Sequence, residues 1–260
     1  MAVTQTPPAE VVVLGASNVT RLLPVIDATL RATFGPVRLF AAHGHGRSYG
    51  IETTFLGRRL DGHVHSALWD DLEANLHPAA RRYALVTDVG NDLIYPPTVP
   101  DILGWAGECV SRLTALGFET SVTLPPVDPV VSLAPLRYEA TARLFFPKHR
   151  VPFERVVEDV RALDAGLRAM AAERGLGLAE PKAAWFKIDP IHVRFLCRRE
   201  AMTSYLGQWP TAPPVVPSRA GVREAARIWR SPPKRMWVAG VEKTAEQPTV
   251  REDGRELWLY

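Results

Sequence analysis

A chain of 260 residues with 47% hydrophobic and 23% charged content has enough apolar material for one full core and too little charge excess for a disordered chain. Its 31 Lys+Arg nearly cancel its 28 Asp+Glu, leaving a net charge of +3 that gives no sign of a nucleic-acid partner. Cys109 and Cys197 are the only cysteines, which excludes a disulfide framework and a cysteine-rich zinc module; with no basic-then-apolar leader in residues 1–10 and no apolar run of ~18 residues, the expectation is a cytoplasmic protein without a membrane span.

Residues 11–14, Val-Val-Val-Leu, run into Gly15, and Ser17 and Asn18 stand just before apolar residues at helical spacing: Leu22, Leu23, Val25, Ile26 and Leu30. This pattern predicts a buried strand, a tight turn and a helix start. Such a turn lies at the carboxyl edge of a sheet, where open α/β folds bind ligands, so Ser17 can serve chemistry or simply cap the helix. The helix is expected to stop at Gly35-Pro36, followed by a strand over 37–42. Next comes His43-Gly-His-Gly-Arg-Ser-Tyr-Gly50, whose glycines suit a turn or a backbone cradle for a ligand.

Residues 51–81 show little pattern beyond a short helix near 69–76. A strand over 83–87 then leads into Asp88-Val-Gly-Asn-Asp92, a second polar turn at a strand's carboxyl end. A helix over 100–116, a strand over 119–124, and a helix with a long cleft-walling loop over 125–153 are expected to follow, the loop carrying Phe145, Phe146 and Pro147. The clearest helix spans 156–175, with Val157, Val160, Leu163, Leu167 and Met170 on one face. A short strand over 176–179 precedes Asp189-Pro-Ile-His192 and a helix from about 193 to 205.

Strands alternating with helices predict an α/β protein: a three-layer α/β/α, flavodoxin-like domain over residues 8–210, with about five mostly parallel strands. Four prolines within 210–217 mark its end. Residues 211–260 are expected to form a C-terminal extension, with β-type runs at 236–241 and 256–259 making a hairpin or ribbon that packs on the domain or on a second copy in a homo-oligomer.

Three of these turns together carry a resemblance. Gly15-Ala-Ser17, Gly90-Asn91-Asp92 and Asp189-x-x-His192, with the glycine loop between the first two, resemble the motifs of the SGNH hydrolases, the GDSL-type esterases and lipases. The similarity is confined to short motifs across residues 15–192. Gly15-Ala16-Ser17-Asn18 keeps only the glycine and serine of the usual Gly-Asp-Ser-Leu, and Val89-Gly90 replaces the usual Gly-x before Asn91-Asp92.

The resemblance implies Ser17 as nucleophile, His192 as general base and Asp189 as the acid that orients the imidazole. It further implies an oxyanion hole from the backbone N–H of Ser17, the N–H of a loop glycine and the side-chain amide of Asn91. Among Gly44, Gly46 and Gly50 the choice falls on Gly46, because Gly46-Arg47-Ser48 resembles the Gly-Arg-Ser of some carbohydrate acetylesterases in the superfamily. Arg47, Tyr95 and Trp185 lie near these motifs in sequence and are expected to line the pocket. The implied reaction is hydrolysis of a small-molecule ester, O-acetyl ester or thioester, with no metal or cofactor.

Other readings have sequence features of their own. His43, His45, His63 and His65 with Asp88 or Asp92 could form a metal site for a different hydrolase class. A Gly-x-Ser-x-Gly elbow is missing because Val19 replaces the second glycine, and no dinucleotide-binding or P-loop pattern surrounds Gly15. Cys197 sits on an apolar stretch that suits a core position better than a thiol nucleophile. A non-catalytic SGNH-like module binding a ligand or protein would use the same cleft, with Arg227, Trp229, Arg230, Lys234, Arg235 and Trp237 as an interaction surface.

Overall fold

Every residue of the first strand, β1 (Ala9–Leu14), is buried in the computed structural model, which describes residues 8–139, 151–187, 189–238, 240–252 and 254–260. A strand covered on both faces has no polar side to alternate with, which is why its sequence is a continuous apolar run. Helix α1 (Ser17–Phe34) returns across one face and ends at Gly35, whose φ of 73° only glycine adopts without strain. Strand β2 (Val37–Ala42) then lies parallel to β1, with Val11 opposite Leu39.

Residues 51–81 hold an antiparallel pair, β3 (Thr53–Phe55) and β4 (Arg58–Leu60), then helix α2 (Leu68–Asn75). The regular alternation continues with β5 (Arg82–Val86), α3 (Val99–Ala115), β6 (Glu119–Thr123), the short α4 (Val127–Val131), α5 (Phe153–Arg174) and β7 (Gly177–Ala179). Helix α3 opens with a capping box between Thr98 and Asp101. Part of the expected cleft-walling loop, including Phe145, Phe146 and Pro147, lies outside the described residues.

The helix expected from about 193 starts later: a single 3-10 turn, Phe195–Cys197, precedes α6 (Arg198–Leu206), and the Val193 N–H before it donates to the Asn18 side chain. Helix α7 (Val222–Arg230) and strands β8 (Arg235–Val238), β9 (Val241–Thr244), β10 (Val250–Glu252) and β11 (Arg255–Leu259) complete the chain.

The main sheet has the order β10-β11-β2-β1-β5-β6-β7, parallel throughout except for edge strand β10. It therefore has seven strands where the alternation predicts about five, since segment 211–260 supplies two. The β-type runs at 236–241 and 256–259 enter different sheets: β11 lies beside β2, while β8 joins β3, β4 and β9 in a separate antiparallel sheet. Arg255 on β11 reaches α1, where it grips Asp27 with two 3.0 Å contacts, both side chains being almost wholly buried. Nε donates to Asp27 Oδ1, and the second contact, from Nη2 to Oδ2, is an ion pair.

Helices cover both faces, giving three layers with two apolar cores. One packs Leu68, Leu72, Ile102, Val110, Leu163 and Leu167 against the sheet, and the other packs Leu22, Ile26, Leu30, Tyr205 and Trp209. Strands β2, β1, β5, β6 and β7 all point their carboxyl ends the same way. The chain passes from β1 to β2 on one side and then to β5 on the other, so strand order reverses between β1 and β5 and their carboxyl ends form a topological switch point.

Candidate active site

Gly15 ends β1 where three elements converge. A Cβ there would stand 2.4 Å from Val19 Cγ2 and 2.8 Å from Thr87 Cγ2, so no larger residue fits. Helix α1 begins at once, but its own N-cap residue, Ala16, offers no capping side chain. The cap comes from Asp88, 72 positions away, whose Oδ2 accepts the N–H of Ala16 at 2.8 Å, of Asn18 at 3.1 Å and of Val19 at 3.4 Å. A carboxylate at a helix N-terminus also opposes the positive end of the helix dipole. Asp88 itself adopts φ 60°, a left-handed conformation that Asp tolerates better than most residues. The carboxylate skips one amide: among the described residues the N–H of Ser17 has no partner.

From the other end of the domain, segment 189–193 folds over this turn. His192 Nε2 lies 2.7 Å from Ser17 Oγ, and His192 Nδ1 lies 2.6 Å from Asp189 Oδ2. The second oxygen of Asp189 accepts the N–H of Ile191 at 3.2 Å and of His192 at 3.1 Å, so residues three apart in sequence form a closed unit. Partial burial disfavours charge on Asp189, but the His192 ring and these two amides outweigh it and hold the carboxyl below its ordinary range. Arg21 Nη1 adds a longer contact to Asp189 at 3.7 Å.

Asn18 joins the two halves. Its amide donates to Asp88 Oδ1 at 2.9 Å and to Ile191 O at 2.8 Å, while its Oδ1 accepts the Val193 N–H at 3.0 Å. In sequence, Asn18 reads as a helix-start residue and Asp88 as a turn residue or a candidate metal ligand. Neither role can be read locally, because the Asp88 partners Ala16, Asn18 and Val19 lie 72, 70 and 69 positions away.

The glycine loop and the 88–92 turn are tied to each other. Asp92 is fully buried and accepts the Ser48 hydroxyl and the Tyr49 N–H, the latter at 3.1 Å to both carboxylate oxygens. Burial pushes the Asp92 carboxyl up to about 7 in spite of these bonds. Gly46 adopts φ 72°, and its carbonyl accepts the Tyr95 hydroxyl at 2.6 Å. One amide hydrogen of Asn91 goes to Arg47 O at 2.9 Å, which ties Asn91 to the residue following Gly46.

The three expected pocket residues are placed otherwise. Arg47 is buried and turned away, its guanidinium donating to Asp61 O at 3.0 Å and Tyr260 O at 2.7 Å. Trp185 is buried in the core, edge-on to Tyr205 at 5.6 Å between centroids. Tyr95 is also buried and holds the Gly46 loop from behind.

The histidine and aspartate residues of the metal reading are dispersed as well. His43 Nδ1 pairs with Thr20 Oγ1 at 2.9 Å, His63 is fully buried against Tyr49, and Asp88 and Asp92 are engaged as described. Burial, reinforced by Arg47 and Arg58, drives His43 down to about 3, so it is neutral at ordinary pH. Among the described residues no three His, Cys, Asp or Glu side chains converge as metal ligands.

No family model and no curated relative matches the chain. Its fold does match solved structures. An M. smegmatis aryl esterase aligns over 75% of this chain and 94% of its own, with a TM-score of 0.52 at 15% identity. A carbohydrate acetylesterase from Sinorhizobium meliloti aligns over 74% and 94%, with a TM-score of 0.51 at 14% identity. A GDSL-like lipase from Bacteroides thetaiotaomicron aligns over 80% and 91%, with a TM-score of 0.50 at 11% identity. The chain thus has the three-layer fold of the GDSL, or SGNH, hydrolases. No described helix is long and apolar enough to cross a membrane.

Proposed function

We propose that this protein is a serine hydrolase cleaving a small-molecule ester, an O-acetyl ester or a thioester, with Ser17 as nucleophile, His192 as general base and Asp189 as its orienting acid. The observation that carries this reading is the unbroken relay from Asp189 to His192 at 2.6 Å and from His192 to Ser17 at 2.7 Å. A serine hydroxyl is a weak nucleophile until a base takes its proton, and Nε2 is within reach to do so. Asp189, kept ionised, selects the tautomer with hydrogen on Nδ1 and stabilises the imidazolium that forms.

Attack on an ester carbonyl then breaks its π bond and places negative charge on the carbonyl oxygen. The unclaimed Ser17 N–H, the Gly46 N–H and the side-chain amide of Asn91 are the donors assigned to that oxyanion. Collapse of the tetrahedral intermediate releases the alcohol or thiol, which takes the proton from His192, and water repeats the sequence to free the acid. Esterase and acetylesterase names among proteins of the same fold agree with this reading without selecting an acyl group.

The experiment is hydrolysis of p-nitrophenyl acetate by purified protein and by Ser17→Ala. Turnover is expected to fall by about 10⁴-fold or more in the variant, with an unchanged circular dichroism spectrum. Equal turnover by the folded variant overturns the assignment of the nucleophile.

A further inference from the structure

We propose that segment 194–199, beside the site, docks the protein on an anionic lipid surface. Phe195 and Leu196 are 74% and 80% exposed, and they sit in a single 3-10 turn three and four residues after His192. Side chains of that size are seldom left so bare in adjacent positions, and an exposed apolar pair beside a site needs something to cover it. On the flank of α1, Trp229 is 56% exposed while its indole N–H donates to Thr20 O, close to the same helix start. A tryptophan with one polar end anchored and its ring exposed suits the boundary between headgroups and acyl chains.

Charge decides what the covering partner is. Arg194, Arg198 and Arg199 bracket the apolar pair, and among the described residues none of them has a carboxylate partner. Arg198 stacks its guanidinium 5.0 Å from the Phe195 ring centroid, and its Nε is buried without a hydrogen-bond acceptor. The stacking holds charge and apolar group on one surface. A second copy meeting the first through this patch would set three arginines against three, which disfavours self-association there. A neutral apolar ligand would leave the cations unanswered. Anionic headgroups answer the arginines while the acyl region receives Phe195 and Leu196, the two-part attraction by which peripheral proteins hold to a membrane. Docked in this way, the protein presents the Ser17 and His192 pair to the interface.

The test is co-sedimentation of the 260-residue chain with vesicles of phosphatidylcholine alone and of phosphatidylcholine mixed with phosphatidylglycerol. Binding is expected only to the anionic vesicles, weakening as salt is raised. Phe195→Ser with Leu196→Ser is expected to weaken it by about tenfold or more, and each arginine changed to Gln by about fivefold. Both serine substitutions are at exposed positions, so the fold and the turnover of a soluble short ester should stay as in the parent. Ser17→Ala should bind vesicles like the parent, which separates docking from the hydrolase reading: vesicle binding stands or falls whether or not turnover is seen. Equal binding to neutral vesicles, no binding to anionic ones, undiminished binding by the double-serine variant, or a dimer in solution dissolved by that variant would each overturn the proposal.

Discussion

Asp88 holds Asn18 by both its backbone and its side chain: Oδ2 accepts the Asn18 N–H at 3.1 Å and Oδ1 accepts the side-chain amide at 2.9 Å. The remaining hydrogen bonds of Asn18 go to Ile191 and Val193, on either side of His192. One carboxylate therefore fixes the turn bearing Ser17, and through Asn18 it fixes the segment bearing the imidazole.

Asn18→Ala removes this link while leaving Ser17, His192 and Asp189 in place. We expect kcat for a short soluble ester to drop by about 10- to 100-fold, as small misplacements of reacting groups typically cost, with KM little changed. Steady-state kinetics check it, alongside the rate of fluorophosphonate labelling, which should fall in step with kcat. A loss confined to KM would assign Asn18 to substrate binding instead.

Asp88→Ala should act on stability first. Three N–H groups, two in the helix and one at its N-cap, lose their acceptor at once, so a loss of about 2 kcal/mol is expected, seen as a thermal midpoint lower by about 4–8 °C. Asp88→Asn keeps an acceptor and tolerates the left-handed backbone at φ 60°, so its loss should be smaller. Differential scanning fluorimetry of the two variants distinguishes the orders.

Asp92 gives a pH signature. Its carboxyl is raised from an ordinary 3.8 to about 7, so the folded state holds a proton that the unfolded state has released across that interval. The stability it contributes is complete below the lower value and disappears as pH rises through about 7. Asp92→Asn should lose that slope. The difference in thermal midpoint between parent and variant is expected to shift in favour of the variant as pH goes from acid to about 8, and a difference independent of pH would contradict the burial argument.

Tyr95→Phe deletes the hydroxyl that holds the Gly46 carbonyl. If the Gly46 N–H serves the oxyanion, a looser loop should cost up to about tenfold in kcat, well short of removing a donor outright. Parallel measurement of the thermal midpoint shows whether the effect is local to the loop.

The parts of this site legible in sequence are those encoded over a few residues. A run of valines into Gly15, the Asp-x-x-His spacing and the polar turn after β5 each carry their signal locally, and the parallel sheet brings their ends to one edge. What escaped was set by long-range contacts. Arg47 looks like a ligand-binding residue beside its glycines, yet carbonyls of Asp61 and Tyr260, 14 and 213 positions away, take its guanidinium. Trp185 stands four residues before Asp189 but turns into the core. Strands β8 and β11 are readable as β-type runs and β10 is not, while the place of β11 beside β2 depends on register and on the Arg255 to Asp27 pair, which no local pattern announces.

Covalent labelling with a fluorophosphonate followed by peptide mapping tests the pairing of Ser17 with His192 most directly. A single modified site at Ser17 is expected in the parent, with labelling strongly slowed in His192→Ala, because the hydroxyl then has no base at 2.7 Å to take its proton. Folded parent protein that stays unlabelled, or that carries the label on another residue, would contradict it.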